Sequence, residues 1–232
     1  MRIIDASAEI LSPTISNLDE INDMFQRMEL AGRTCYKSTD KITPASARKF
    51  VEKLVKSGHE AMLEHASMTV RFVVDRGVSH ELVRHRIASF AQESTRYCNY
   101  SADKFGKELT FIKPCFWEKG TAKYSAWEDA MKLAESFYFQ LLAYGATPQE
   151  ARSVLPNSLK TEVIMTANMR EIRHFLKLRA AGITGAPHPQ MLEVAVPLFQ
   201  QCAEAMPELF CDITIPEAIL EKYGRKTEEE SR

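Results

Sequence analysis

Met68 to Val74 limits the fold of this chain more tightly than any other stretch. Met68, Val70, Phe72 and Val74 alternate with Thr69, Arg71 and Val73, the period-two pattern of a strand with one buried face. Asp75-Arg76-Gly77 ends it in a turn. Segments of helical period lie on both sides. Leu18, Ile21, Phe25 and Met28 give an amphipathic helix from Asn17 to about Ala31. Pro44, preceded by Thr43, starts a second helix to about Lys56, closed by Ser57-Gly58. Val78 to Arg86 reads as a helix, and Ala122 to Tyr144 is the longest helical segment, stopped by Gly145. Pro148 begins a helix that carries Arg152 and ends before Pro156. Met169 to Ala180 and Pro189 to Met206 are helical, the latter with a bend at Pro197. Residues 2–10, Leu109 to Ile112 and Leu159 to Asn168 read as strands. No repeat, low-complexity linker or composition shift divides the 232 residues. They are expected to form one mixed domain, 1–232, with a frayed tail from about 225.

One segment is not explained by folding alone: Arg84-His85-Arg86-Ile87-Ala88-Ser89-Phe90-Ala91-Gln92-Glu93-Ser94-Thr95-Arg96-Tyr97. Consecutive charged residues cannot all face inward in any regular structure. An anionic ligand can use them, because arginine fits phosphate in a bidentate way and histidine adds a donor tunable near neutral pH. A solvated basic turn is the plainer alternative. In extended chain Gln92, Ser94 and Arg96 would point to one side. An amide, a hydroxyl and a guanidinium on one edge suit a planar anion such as a nucleotide.

The bulk numbers exclude several classes. Formal net charge is -1, so no global field draws the chain to nucleic acid or an acidic membrane. That disfavours a nucleic-acid module built on residues 84–96, as does the lack of a basic stripe elsewhere. Cys35, Cys98, Cys115, Cys202 and Cys211 are an odd, widely spaced set without a C-x-x-C pair, which indicates neither a disulfide framework nor a zinc ribbon. Met1-Arg-Ile-Ile-Asp lacks the apolar run of a signal peptide and no later stretch could span a bilayer, so reducing cytoplasm is the expected compartment. Gly58-His59-Glu60-Ala61-Met62-Leu63-Glu64-His65 suggests a metal hydrolase. Its histidines are six apart rather than the four that share one helical face, and no metal is expected.

Two more segments carry chemistry. In Ala151-Arg152-Ser153-Val154-Leu155-Pro156 one arginine precedes a helix-ending proline, where the helix dipole favours a cation. In Asn168-Met169-Arg170-Glu171-Ile172-Arg173-His174-Phe175-Leu176-Lys177-Leu178-Arg179, Ile172, Phe175 and Leu176 define an apolar face that also holds Arg179. A charge there must snorkel out or meet a polar partner. Arg170 and His174 lie one turn apart on a neighbouring face. Lys113-Pro114-Cys115 is followed by Phe116, and Cys115 reads as an inert thiol.

Arg-His-Arg, seven residues, Ser resembles the signature of the flavin-dependent thymidylate synthases. Gly-His-Glu…Glu-His at 58–65, Ala-Arg-x-x-Leu-Pro at 151–156 and the Asn-x-Arg…His…Leu-Arg pattern at 168–179 are similar to further motifs of that family, in the same order. The resemblance covers roughly Gly58 to Arg179. It implies an α+β fold with an antiparallel sheet and long helices, a homotetramer, and flavin and nucleotide sites where subunits meet. The implied reaction converts dUMP to dTMP, with methylenetetrahydrofolate as one-carbon donor, FAD as hydride carrier, NADPH as reductant and no cysteine nucleophile. Implied cofactor contacts are Arg84, His85, Arg86, Ile87, Gln92, Asn168, Met169, Arg170 and His174. Implied substrate contacts are Glu81, Arg84, Gln92, Glu93, Ser94, Thr95, Arg96, Arg152 and Arg179. Arg179 is the implied catalytic residue, polarising the uracil at its N3–C4 edge in place of a covalent nucleophile. Glu81 stands where relatives often have Gln, Ala61 where they have Ser or Thr, and Ala91-Gln92 where they often have Asn-Glu.

Overall fold

A computed structural model describes residues 1–102 and 106–225. Of the tail expected to fray from about 225, everything past Arg225 lies outside the described residues. The first expected strand is two strands, β1 (Arg2–Ile4) and β2 (Ser7–Ser12), interrupted at Asp5-Ala6. Helix α1 (Leu18–Cys35) starts where predicted because the Asn17 side chain accepts from the backbone N–H groups of Asp19 and Glu20. It runs a turn past Ala31, since Met28 and Gly32 prolong its buried face. Helix α2 (Ser46–Lys56) starts two residues later than expected and contacts α1. Gly32 makes that contact possible: a Cβ there would sit 2.6 Å from the Phe50 ring.

Strand β3 (Ser67–Asp75) holds the alternation, with Met68, Val70, Phe72 and Val74 buried. Asp75 ends the strand and caps α3 (Arg76–Leu82), its Oδ1 accepting from Val78 N at 2.7 Å. The chain continues through β4 (Ala88–Gln92), β5 (Thr110–Ile112), α4 (Ala122–Ala143), α5 (Pro148–Ala151), β6 (Lys160–Asn168), α6 (Met169–Arg179), α7 (Pro189–Ala205), α8 (Pro207–Phe210) and α9 (Glu217–Tyr223). Short 3-10 turns lie at Thr39–Lys41, Glu60–His65 and Arg152–Val154. Gly145 has φ of 88° just past α4, the left-handed conformation that ends a helix. Pro197 lies inside α7.

The α+β expectation holds: helices accompany an antiparallel four-stranded sheet of order β2-β3-β6-β4. The Thr69 and Thr166 hydroxyls meet at 3.0 Å between β3 and β6. A separate pair, β1 and β5, is parallel, with Ile3 opposite Phe111.

The chain forms two compact units that interleave in sequence. The first comprises Met1–Ser7, Phe72–Arg84 and Ala91–Val163. Tyr100, Leu109, Phe111, Met131, Tyr138, Ala151 and Leu159 form its core cluster. The second comprises Ala8–Arg71, His85–Phe90 and Ile164–Arg232. Its buried residues include Ile21, Phe25, Met28, Val51, Leu63, Phe175 and Leu176, and its Glu60–His65 turn contacts both α1 and α6.

Candidate active site

The expected helix to Arg86 stops at Leu82. Val83 N–H bonds to Ser79 O, and Arg84 N–H closes a shorter loop onto Glu81 O at 3.3 Å. The basic triplet therefore lies in the link between α3 and β4. There Arg84 and Arg86 are exposed while His85 is buried. Neither arginine has an ion-pair partner among the described residues. The predicted common face of Gln92, Ser94 and Arg96 does not form either. Only Gln92 is in a strand, and residues 95–97 turn. The turn is held by Ser94, whose carbonyl accepts from Tyr97 N and Cys98 N and whose Oγ accepts from Arg96 N at 3.3 Å. Side-chain bonding of this kind competes with extended chain.

In the first unit the turn gains a distant arginine. Arg152 Nη1 donates to Thr95 Oγ1 at 3.4 Å, across 57 residues. Arg96 and Arg152 are both exposed and carry no carboxylate partner among the described residues. Arg152 thus reaches the turn through Thr95, while the Arg96 guanidinium lies over the Tyr97 ring at 5.3 Å from its centroid; exposed guanidiniums without a carboxylate are able to take an anion. Three expected ligands are committed to the protein instead. Thr95 is buried and holds Arg152. Glu93 pairs with Lys160 at 2.9 Å and accepts from Tyr100 Oη at 3.0 Å, so it offers a nucleotide little free charge. The Gln92 amide nitrogen donates to Ser79 Oγ at 2.9 Å and Thr161 Oγ1 at 3.3 Å, which makes it a brace. Glu81 has a partner of its own.

In the second unit the family-like segments converge on α6. Asn168 caps this helix, its Oδ1 accepting from Glu171 N at 2.9 Å. Met169 is fully buried and its N–H bonds to Ala66 O; its apolar side chain is core rather than a ligand surface. Arg170 and His174 are exposed on one face as expected. Arg170 Nη1 meets Glu64 at 2.6 Å, tying α6 to the Glu60–His65 turn. Ile87 is 69% exposed beside Arg86.

The His85 side chain is turned to partners within the protein. Its side chain is 3% exposed, with Nδ1 3.0 Å from Glu171 Oε1, itself on a 7% exposed side chain. Its Nε2 takes a 3.2 Å hydrogen bond from Arg179 Nε. Both ring nitrogens are thus used, and neither is open to a flavin phosphate. Burial lowers the imidazole pKa, and Arg179 and His174 lower it further, against the opposing pull of Glu171. A neutral ring must place its single proton on Nδ1 to donate to Glu171, leaving Nε2 as the acceptor that Arg179 needs. Arg179 does not simply snorkel: its polar partner is His85.

Sequence reasoning passed over Arg173, whose side chain is 1% exposed. It donates to Asp212 through Nη1 at 2.9 Å and Nη2 at 2.8 Å, to Glu60 Oε1 at 2.9 Å, and to Leu209 O. Lys177 adds contacts to Asp212 at 3.0 Å and Glu60 at 3.4 Å. Burial opposes ionisation of Asp212, but hydrogen bonds from Arg173 and Lys177 hold its pKa at about 2. Glu60 is lowered in the same way. Glu60 and Glu64, the carboxylates of the suspected metal motif, are therefore engaged by Arg173 and Arg170. Among the described residues no group of three or more His, Cys, Asp and Glu is arranged to hold a metal, and no helix is long and apolar enough to cross a membrane.

Comparison with known proteins places this geometry. The family model described as thymidylate synthase complementing protein matches residues 18–208. A flavin-dependent thymidylate synthase of Geobacter sulfurreducens is 35% identical over 172 residues, 71% of this chain and 72% of that protein. Another from Corynebacterium aurimucosum is 34% identical over 200 residues, 81% and 79% of the two chains. A solved structure, a UMP/dUMP methylase PolB from Streptomyces cacaoi bound with 5-Br dUMP, shares the fold with a TM-score of 0.70 at 24% identity, covering 97% of this chain and 99% of that one. The family model and the curated relatives define an enzyme of the thymidylate synthase kind. The chain belongs to the flavin-dependent thymidylate synthase family.

Proposed function

We propose that this enzyme converts dUMP to dTMP by reductive methylation, taking the one-carbon unit from methylenetetrahydrofolate and reducing equivalents from NADPH through bound FAD. The carrying observation is that Arg152 bonds to Thr95 of the turn that also carries Arg96, both arginines exposed and without a carboxylate partner among the described residues, which suits a nucleotide phosphate. Ser94 and Arg84 are assigned to the same substrate.

The residues of the second unit fit FAD. Arg86 supplies a cation without an ion-pair partner among the described residues, Ile87 an exposed apolar surface beside it, and Arg170 and His174 donors on one helical face. With FAD bound, the flavin supplies hydride chemistry while the protein orients and polarises. Arg179 holds positive charge for the uracil N3–C4 edge, which favours electron density there. No cysteine is assigned as nucleophile. Cys202 is buried and its thiol is pushed up to about 12, and Cys35 and Cys211 donate to carbonyls of their own helical turns. The working form is a cytoplasmic homotetramer, its sites completed where subunits meet.

The test is the ultraviolet-visible spectrum of purified protein, before and after NADPH with dUMP present, alongside dTMP assay. Arg86→Ala should release flavin, since a phosphate contact of this kind is worth ~1.5–3 kcal/mol. Unchanged flavin occupancy in that variant, or no flavin and no dTMP in the parent, would sink the assignment.

A further inference from the structure

We propose that Glu171 and His85 are positioning residues that aim Arg179, forming a buried carboxylate–imidazole–guanidinium relay whose imidazole must stay neutral for the enzyme to work. The inference rests on the assignment of Arg179 to the nucleotide and goes beyond it.

The three groups are linked in series, Glu171 to His85 at 3.0 Å and His85 to Arg179 at 3.2 Å. Their order has chemical meaning. An arginine needs an acceptor, and an imidazole is an acceptor only at its unprotonated nitrogen. Glu171 takes the proton-bearing Nδ1, so the lone pair on Nε2 faces the arginine. Bonding through Nε engages the inner donor of the guanidinium and so fixes the plane in which its fork lies. Each member is fixed by the fold. Glu171 sits in the first turn of α6 under the Asn168 cap, and the His85 ring packs edge-on against Phe175 with centroids 5.0 Å apart. Glu171 and Arg179 lie on the same helix and His85 bridges them from the 83–87 link.

The relay makes a pH prediction. Glu171, His174 and Arg179 of α6 surround His85, with the His174 ring centroid 6.0 Å away, and Arg84 and Arg86 flank it in sequence. Protonating His85 would set an N–H against the N–H of Arg179 and place two cations in contact. The guanidinium would then leave its aimed position. Activity should therefore fall on an acid limb governed by His85, at a pH below the ordinary histidine value because burial lowers its pKa.

The experiment uses the FAD-loaded enzyme, with flavin reduction by NADPH and dTMP formation measured separately from about pH 5 to 8. His85→Phe keeps the ring packing but removes the acceptor. It should cut kcat for dTMP by about 30-fold or more, the scale of a misaimed charge donor, with little change in KM for dUMP or in flavin reduction. His85→Gln places an amide oxygen near Nε2 and cannot become a cation. It should restore much of the lost turnover and abolish the acid limb. Glu171→Gln removes the group that raises the imidazole pKa, so its acid limb should move to lower pH. Circular dichroism guards against misfolding, and His85→Gln carries the test if His85→Phe does not fold. Normal turnover in His85→Phe, or a parent-like acid limb in His85→Gln, would overturn the relay while dTMP formation by the parent still upheld the assigned function. A parent that makes no dTMP would remove both.

Discussion

Arg173 should hold more stability than any other single polar side chain of α6, and replacing it by methionine tests this. The substitution keeps apolar bulk but deletes a guanidinium that is 1% exposed and bonded to Asp212 twice, to Glu60 and to Leu209 O. Removing one partner of a buried ion pair costs about 3–5 kcal/mol. The lower end applies here. Glu60 and Asp212 are 27% and 32% exposed, and Lys177 remains within 3.4 Å of both, so water and a second cation compensate part of the loss. We expect a loss of roughly 3 kcal/mol, which for a chain of this size lowers Tm by about 6–12 °C. Asp212 adds a pH signature, its pKa falling from 3.8 to about 2. A depressed carboxylate contributes stability that is present above its unfolded value and lost as pH falls through its folded value. Glu60 is depressed from 4.5 and acts in the same sense. The gap between parent and Arg173→Met should thus be full at pH 7 and narrow progressively as pH falls from about 4.5 through 2. The assay is thermal unfolding by circular dichroism at fixed protein and FAD concentration, because assembly and ligand both shift Tm. A gap below about 1 kcal/mol at pH 7, or one as large at pH 2 as at pH 7, would refute the cluster as a stabilising unit.

Three further outcomes are expected. Arg179→Lys should retain FAD yet lower dTMP turnover by roughly 10²-fold or more, because lysine cannot bond His85 through an inner nitrogen and still present a planar fork; near-normal turnover in a two-half-reaction assay would refute it. Arg152→Ala should raise KM for dUMP by roughly 10- to 150-fold, the equivalent of one charge-assisted phosphate bond of ~1.5–3 kcal/mol, while flavin content stays constant; titration of dUMP against flavin absorbance measures both. Cys98→Ser with Cys115→Ser should leave dTMP formation largely intact, and its complete loss in a folded, flavin-loaded variant would favour a covalent mechanism.

What could be read from sequence was whatever local geometry decides. The period of two from Met68 to Val74 located β3 because alternate residues must face a core. Pro148 marked the start of α5, and Gly145, at φ 88°, the stop of α4, because proline and glycine act through their own dihedral limits. The site was legible in composition but not in path. Residues 84–96 stand out in sequence by their charge, yet the link around His85 and the turn at Ser94 are shaped by partners elsewhere. Gln92 is held by Ser79 and Thr161, and Thr95 by Arg152.

Arg173 and Arg179 make the physical limit plain. Both lie on α6 and both are arginines near an apolar face, and sequence pattern picked out Arg179 as the anomalous charge. A signal for Arg173 did exist: it shares helical spacing with Met169, Leu176 and Ala180, all fully buried. Reading that spacing as burial of a guanidinium requires knowing that acids will be there to meet it. Those acids are Glu60 and Asp212, 113 and 39 residues away. Arg179 has instead a neutral imidazole brought from 94 residues away. The difference in partner decides the difference in use. A guanidinium whose forked edge is saturated by two carboxylates is spent on stability. One held through Nε by an imidazole has no carboxylate in that bond, and that is the setting in which the action on uracil is proposed.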